Sequence, residues 1–419
     1  MNIKYPNINC IKQYRTFVFL LCLFSVEVYS QSADTTVDVL IGMGFENVSW
    51  TEDEEERVYV LENASYRSGG VGIGKAIDKI QEFGMPENKV CRVIVLDNNV
   101  PVISLKYQPV ENARETQIAT RHDWDVSHDL GDSWEKIRKQ KVKNSSLFKI
   151  DVVVYPDFSF QNYIITQIYQ VLLNINPAVE ISMWKGMKLT GQVIIPVVND
   201  YGPEYKQVRQ GYITLAQTMR LPYNTFVTGT VGTFNNNRWG GDLSVKHFIP
   251  KNEQFSLEGK IGYTGVSYFK DWVWHASPLK RLTWTVGANY YWTKYNTQLS
   301  VKVEQYLYGE KGVRVDFMRM FRYAAIGFYA MKTEAIREIS GDAKYSKTNG
   351  GFYFQVMLPP YGKYKRNKVR ITTAKYMGIL YNAGNERYYG KSYTPRLGSN
   401  YAYEINYNPY FIKSELSNF

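Results

Sequence analysis

The chain has 419 residues, with 50 Lys and Arg against 39 Asp and Glu, a net charge of +11 that suits anionic partners such as lipid headgroups or acidic glycans without choosing between them. Its three cysteines are Cys10, Cys22 and Cys91, so the chain beyond the first 30 residues can form neither an intrachain disulfide nor a Cys-based zinc site. Aromatic residues are abundant, with 35 Tyr, 20 Phe and 9 Trp, and aromatics favour strands and membrane interfaces.

Lys4, Lys12 and Arg15 precede the apolar run TFVFLLCLFSV (16–26), and Val28, Tyr29 and Ser30 follow it. That order predicts a secretory signal peptide over residues 1–30, cleaved after Ser30. The run is shorter than the roughly 20 residues a helical span needs, and Cys22 follows Leu21 rather than a small residue, which argues against a lipoprotein site. Without this segment the chain keeps 47 basic against 38 acidic residues, a net charge of +9. No later stretch is apolar over about 18 residues, so a membrane could be crossed only by strands closed into a barrel.

Residues 31–110 read as a small α/β domain, placed in the periplasm by the export signal. VDVLIGMGF (37–45) suggests a short helix, and VSWTEDEEERVYVLEN (48–63) a hairpin about an acidic tip at 52–56. VCRVIVLDNNVPVISLKY (90–107) suggests two strands turning at Asn98 and Asn99, because Asn tolerates left-handed backbone. Between the hairpins, SGGVGIGKAID (68–78) fits a GxxxxGK frame, with Gly69, Gly74 and Lys75 in the places of a phosphate-binding loop. Position 76 is Ala, which offers Mg²⁺ no hydroxyl, and ATP is absent outside the cytoplasmic membrane. The glycines are therefore read as a helix-opening, close-packing device, with no nucleotide expected.

Residues 111–148 read as a polar linker with one helix near 134–142. Within it, HDWDVSHD (122–129) gathers His122, Asp123, Asp125, His128 and Asp129. That cluster could ligate a metal or be merely a solvated segment, and the lack of helical i, i+4 ligand spacing favours the second.

From residue 149 to 412 the pattern becomes strand after strand. Leu282, Trp284, Val286, Ala288, Tyr290 and Trp292 alternate with Thr283, Thr285, Gly287 and Asn289. Beyond a turn near Asn296, Leu299, Val301 and Val303 alternate with Ser300, Lys302 and Glu304. Similar alternation runs through 242–249, 254–264 and 401–411, the last with Tyr401, Tyr403, Ile405, Tyr407 and Phe411 on one face. About 12 to 14 such strands fit a single antiparallel transmembrane barrel. Tyr290, Tyr291, Trp292, Tyr306, Tyr308, Phe269, Trp272 and Trp274 lie near strand ends, as interfacial girdles would. The fold class expected is thus mainly β, with residues 401–411 as the closing strand and 413–419 as a tail.

A lumen would then be lined by Asp242, Lys246, Glu258, Lys260, Lys302, Glu304, Arg314, Asp316, Arg370 and Glu404, because each opposes the apolar face. Two states remain open: a channel, or mixed charges that pair and fill the interior. His247 and His275 are candidate bases for a Ser–His hydrolase, but no GxSxG or HExxH motif accompanies them.

In the barrel region RQGYITLAQTMRLPYNTFVTGTVGTF (209–234), GVRVDFMRMFRYAAIGFYAMKT (312–333) and NGGFYFQVMLPP (349–360), and in the small domain VYVLENASYRSGGVGIGKAIDKI (58–80), resemble the YjbH/GfcD exopolysaccharide-secretion proteins of Gram-negative outer membranes. The resemblance implies a non-enzymatic role in moving an extracellular or capsular polysaccharide at the outer membrane, beside lipid and partner export components. It carries no catalytic residue and implies no cofactor, metal or nucleic-acid partner. Larger members resemble two barrels in tandem, whereas this length suits one. The alternatives are an outer-membrane hydrolase acting on lipid or glycan, and an exported β-rich binding or adhesion protein.

Overall fold

The computed structural model describes residues 33–109, 119–164, 167–270, 273–334, 348–382, 390–399 and 401–417. The expected signal peptide, residues 110–118 of the expected linker, Trp272 and the last two residues lie outside this set.

The N-terminal unit is a five-stranded sheet in the order β1 (Glu46–Glu52), β2 (Glu56–Glu62), β3 (Val90–Asp97), β4 (Val100–Tyr107) and β5 (Asp125–Ser127). Helix α1 (33–42) precedes it, and α2 (Gly69–Phe83) links the parallel pair β2 and β3. One sheet face packs Tyr59, Leu61, Val93 and Ile103 against Leu40 of α1 and Ile73, Ile77 and Ile80 of α2. The other face packs Val58, Val60, Ile94 and Leu96 against Leu130 and Ile137. The β3–β4 turn forms as the sequence suggests, with φ of 49° at Asn98 and 63° at Asn99.

The stretch read as linker is part of this unit among its described residues. Trp124 is fully buried in the first core, β5 extends the sheet, and α3 (Ser133–Ile137) covers the second face. Its charges misled the sequence reading. They form a rind around a few apolar anchors spaced too widely to register as a periodic element.

The rest is dominated by one large antiparallel sheet. In chain order its members are β6 (Ile150–Ile164), β7 (Gln167–Trp184), β8 (Met187–Asn199), β9 (Arg209–Leu221), β10 (Thr225–Phe234), β11 (Arg238–Phe248) and β12 (Phe255–Lys270). They continue as β13 (Val273–Ala276), which pairs only with the end of β12, then β14 (Arg281–Trp292), β15 (Thr297–Gln305), β16 (Lys311–Met320), β17 (Ala324–Thr333) and β18 (Thr348–Met357). At its two ends lie β19 (Val369–Thr373), parallel to β6, and β20 (Tyr376–Asn382), antiparallel to β18. Only Ala374 and Lys375 separate β19 from β20, and the Ala374 amide donates to Val154 O at 2.9 Å.

Strand polarity is inverted relative to a water-soluble sheet with a covered apolar face. Leu257, Ile261, Val286, Val301, Val315 and Phe328 are exposed, while Ser256, Thr283, Asn289, Ser300 and Asp316 are buried. Most turns nearest the small domain are short, at Lys185–Gly186, 222–224, 293–296 and 321–323, while the longer connection 358–368 also reaches it, Tyr364 N donating to Ser65 O at 3.0 Å. Left-handed residues make the tight ones, including Tyr223, Asn224 and Asn296.

Residues 401–411 are not a strand. They fold as α4 (Tyr401–Ile405) and the start of α5 (Pro409–Ser417). Asn408 caps α5, its Oδ1 accepting from the amides of Tyr410 at 3.0 Å and Phe411 at 3.3 Å, and Pro409 takes the first helical position. The buried residues Ala402, Ile405, Ile412, Leu416 recur at helical spacing, and this outweighs the period-two run of tyrosines. Nor is 413–419 a free tail over its described part: Glu415 and Leu416 are buried. The expected girdle also changes, since Tyr291 and Tyr306 are buried on the inner side with Met318, Tyr353, Ala402 and Phe411.

Candidate functional site

The inner face of the large sheet gathers charge because every second residue of each strand points there. From β11 and β12, Lys260 Nζ lies 3.5 Å from Asp242, whose carboxylate also accepts from Tyr393 OH at 2.7 Å. Lys302 of β15 meets Glu258 at 2.7 Å, and Thr285 donates to Glu304 at 3.3 Å. On β16 Arg314 pairs with Asp316 at 2.9 Å and lies 4.3 Å over the Tyr329 ring. Arg370 of β19 pairs with Asp151 of β6 at 2.9 Å, across the parallel contact. Nine of the ten candidate lining residues thus stand on strands, and the tenth, Glu404, stands on α4, 4.0 Å from Lys246.

Between these walls lies a cavity of about 520 Å³ lined by Asp242, Lys246, Glu258, Lys302 and Glu404 together with His128 and Tyr407. A second, of about 210 Å³, is lined by Arg67, Asp151, Glu180 and Arg370, and shares Asp97, Lys188 and Tyr403 with the first. Asp97 and Lys188 were missed. Lys188 carried the same signal as the others, since it alternates with exposed Leu189 and Val193 beside buried Thr190 and Gln192. Tyr393 carried none, because its segment is irregular.

The polar face of the sheet is covered by the chain itself. Beyond β20, residues 390–399 start at the rim away from the small domain, where Leu307 N donates to Lys391 O at 2.9 Å and Asn236 Nδ2 to Ser392 O at 2.6 Å. Tyr393 stacks on Phe234, with ring centroids 5.3 Å apart, and Lys260 covers it at 4.5 Å. Helix α4 follows inside the sheet, with the Ala402 amide donating to Gln355 at 3.1 Å. Helix α5 then reaches the small domain, whose core it completes with Ile412 and Leu416.

This docking explains the glycine-rich loop. Ser68 Oγ caps α2 and donates to Glu415 at 2.5 Å, and Gly69 N donates to Asn406 Oδ1 at 3.1 Å. A Cβ on Gly70 would lie 2.4 Å from that of Glu415, so a side chain there is excluded. The helix N-terminus that resembled a phosphate site therefore holds the chain's own carboxylate, while Lys75 is exposed. Burial pushes the Glu415 carboxyl up from its ordinary value, against the opposing bond from Ser68. Burial also raises Glu62, which accepts from the amides of Asn98 and Asn99 at 3.1 Å.

The small domain sits on the near rim through polar contacts. Arg220 donates to the carbonyls of Pro101, Val102 and His128, and Glu253 accepts from His128 N at 2.9 Å and Ser127 Oγ at 2.8 Å. Arg67 donates to Thr373 O at 2.7 Å, and Arg366 pairs with Glu46. His128 is fully enclosed beside Phe248, and burial, aided by Arg220 and Lys246, lowers it to about 3.

The other histidines stay apart. His122 is exposed with Asp123, Asp125 and Asp129, and among the described residues no cluster of three His, Cys, Asp or Glu could hold a metal. His247 meets Thr225 Oγ1 at 2.9 Å and His275 stacks on Tyr268 at 5.0 Å. No model of a known family matches the chain, and no curated protein matches it.

Proposed function

We propose that the large sheet closes into an outer-membrane β-barrel with the small domain in the periplasm, and that the protein serves, without catalysis, in polysaccharide secretion. The observation that carries the membrane reading is the inverted facing, with valines, leucines and phenylalanines exposed around the strands and ion pairs inside. Exposed apolar surface of that extent is tolerable against lipid and not in water.

Closure is supported by the continuous stretch 369–382, whose first half pairs with β6 and second half with β18. Counting that stretch as one strand gives about 13, with a parallel seam, and lipid leaves no room for open sheet edges. Four turns beside the small domain are short, as on the periplasmic side of such barrels, with 358–368 a longer exception. Polysaccharide as the cargo rests on the family resemblance, and the basic surplus suits an anionic one.

Two experiments test this. In a Gram-negative host the chain should fractionate with the outer membrane and run faster unheated than heated on gels. In its native host, deletion should lower extracellular polysaccharide while leaving the other outer-membrane proteins in place. Solubility of residues 149–417 without detergent would defeat the barrel reading, and unchanged polysaccharide would defeat the secretion reading.

A further inference from the structure

The path of the C-terminal segment suggests how such a barrel is closed and what opens it. Its two ends are held by different parts of the molecule. Helix α5 is anchored in the small domain's core: Ile412 and Leu416 are fully buried there, against a helix face cleared of side chains at Gly70 and Gly74. Residues 390–399 and α4 are held to the sheet by polar contacts, Tyr393 with Asp242, Glu404 with Lys246 and Ala402 with Gln355, and by apolar ones, Tyr393 stacked on Phe234, and Ala402 and Ile405 packed with Phe411 of α5 against Met318, Tyr329 and Tyr353. The small domain is in turn seated on the rim by Arg220, Glu253, Arg67, Arg366 and the Asn98 turn, whose carbonyl accepts from Gly186 N at 2.9 Å.

Polar seats of this kind separate more readily than a shared apolar core, because their groups regain water when they part. Lifting the small domain therefore has the polar seat and the packing of Phe411 against the sheet to break, while Ile412 and Leu416 keep α5 in the domain's core.

Resting on the barrel reading, we propose that residues 390–399 with α4 are a lumen plug and that the small domain is its handle: undocking the domain from the near rim withdraws the strap through α5 and opens the interior. The unit that moves is the small domain together with residues 390–417. The barrel wall stays as it is, since none of its strand pairings involves the strap.

The test is ion conductance of the full-length protein in planar lipid bilayers, with three variants. The full chain should be silent or open rarely. A chain ending at residue 389 keeps every strand and lacks the whole strap, and should conduct steadily. Arg220→Ala with Glu253→Ala loosens the rim seat and should raise the frequency of opening. Adding Asn98→Cys and Ser182→Cys, whose native side chains meet at 2.8 Å, should silence that loosened variant when oxidised and restore its openings on reduction.

An inserted, heat-modifiable barrel that stays silent without its strap would overturn the plug and leave the barrel reading standing. Openings unaffected by the oxidised cysteine pair would overturn the handle. A full chain that never inserts would overturn the barrel reading and the plug with it.

Discussion

Gly70 carries a prediction that needs no knowledge of function. A Cβ added there would meet Glu415 at 2.4 Å, so Gly70→Ala must push α5 from α2 and should cost about 1 to 3 kcal/mol. Lys75→Ala should cost nothing measurable, because Lys75 is exposed. Chemical unfolding of the two variants checks the contrast, and equal destabilisation would contradict this account of the loop. His128 supplies a pH dependence. Its folded value of about 3 lies below the ordinary 6.5, so its share of docking is complete above pH 6.5 and is lost as pH falls toward 3. Protection of the Val102, Ser127 and His128 amides from hydrogen exchange should therefore weaken on acidification below about pH 6.5, and His128→Phe should flatten the dependence. At this scale the sequence announced the missing Mg²⁺ ligand at Ala76, but not that Glu415 would fill the loop. A partner so distant in sequence leaves no local trace.

Among the elements, the strands were the most legible, because residues such as Val301 and Lys302 alternate over a whole strand and the alternation is itself the facing. The sharpest check follows from it. Val301→Arg puts a charge on the exposed apolar side, which the proposed barrel turns to lipid, at a cost of about 2 to 4 kcal/mol near a bilayer midplane, whereas Lys302→Gln keeps a donor beside Glu258. The first should block assembly and the second spare it, as read by heat-modifiable gel mobility. The C-terminal helices were misread because Tyr401, Tyr403, Ile405 and Tyr407 satisfy a period of two over too few residues to exclude a period of 3.6, while the Asn408-Pro409 start signal was available. Leu416→Ala is accordingly expected to lower stability by about 2 to 5 kcal/mol, since its side chain completes a core. A chain lacking residues 413–419 should show the same loss of small-domain protection against protease.

At the scale of the whole molecule, the sequence indicated a small α/β unit ahead of a β-rich one, and both are present. It could not indicate that the last helix returns to the first unit, or that residues 390–399 and α4 cover the sheet's polar face, since both depend on contacts between distant parts of the chain. The central claim is that the large sheet turns its apolar side to lipid and its charges inward. Spin labels placed singly at residues 298 to 303 of β15 in the reconstituted protein test it most directly, through collision with oxygen, which concentrates in lipid, and with a water-soluble nickel complex. The account predicts that 299, 301 and 303 favour oxygen, while 298, 300 and 302 are shielded from it. Equal access of the nickel complex to both sets, or alternation in the opposite phase, would contradict it.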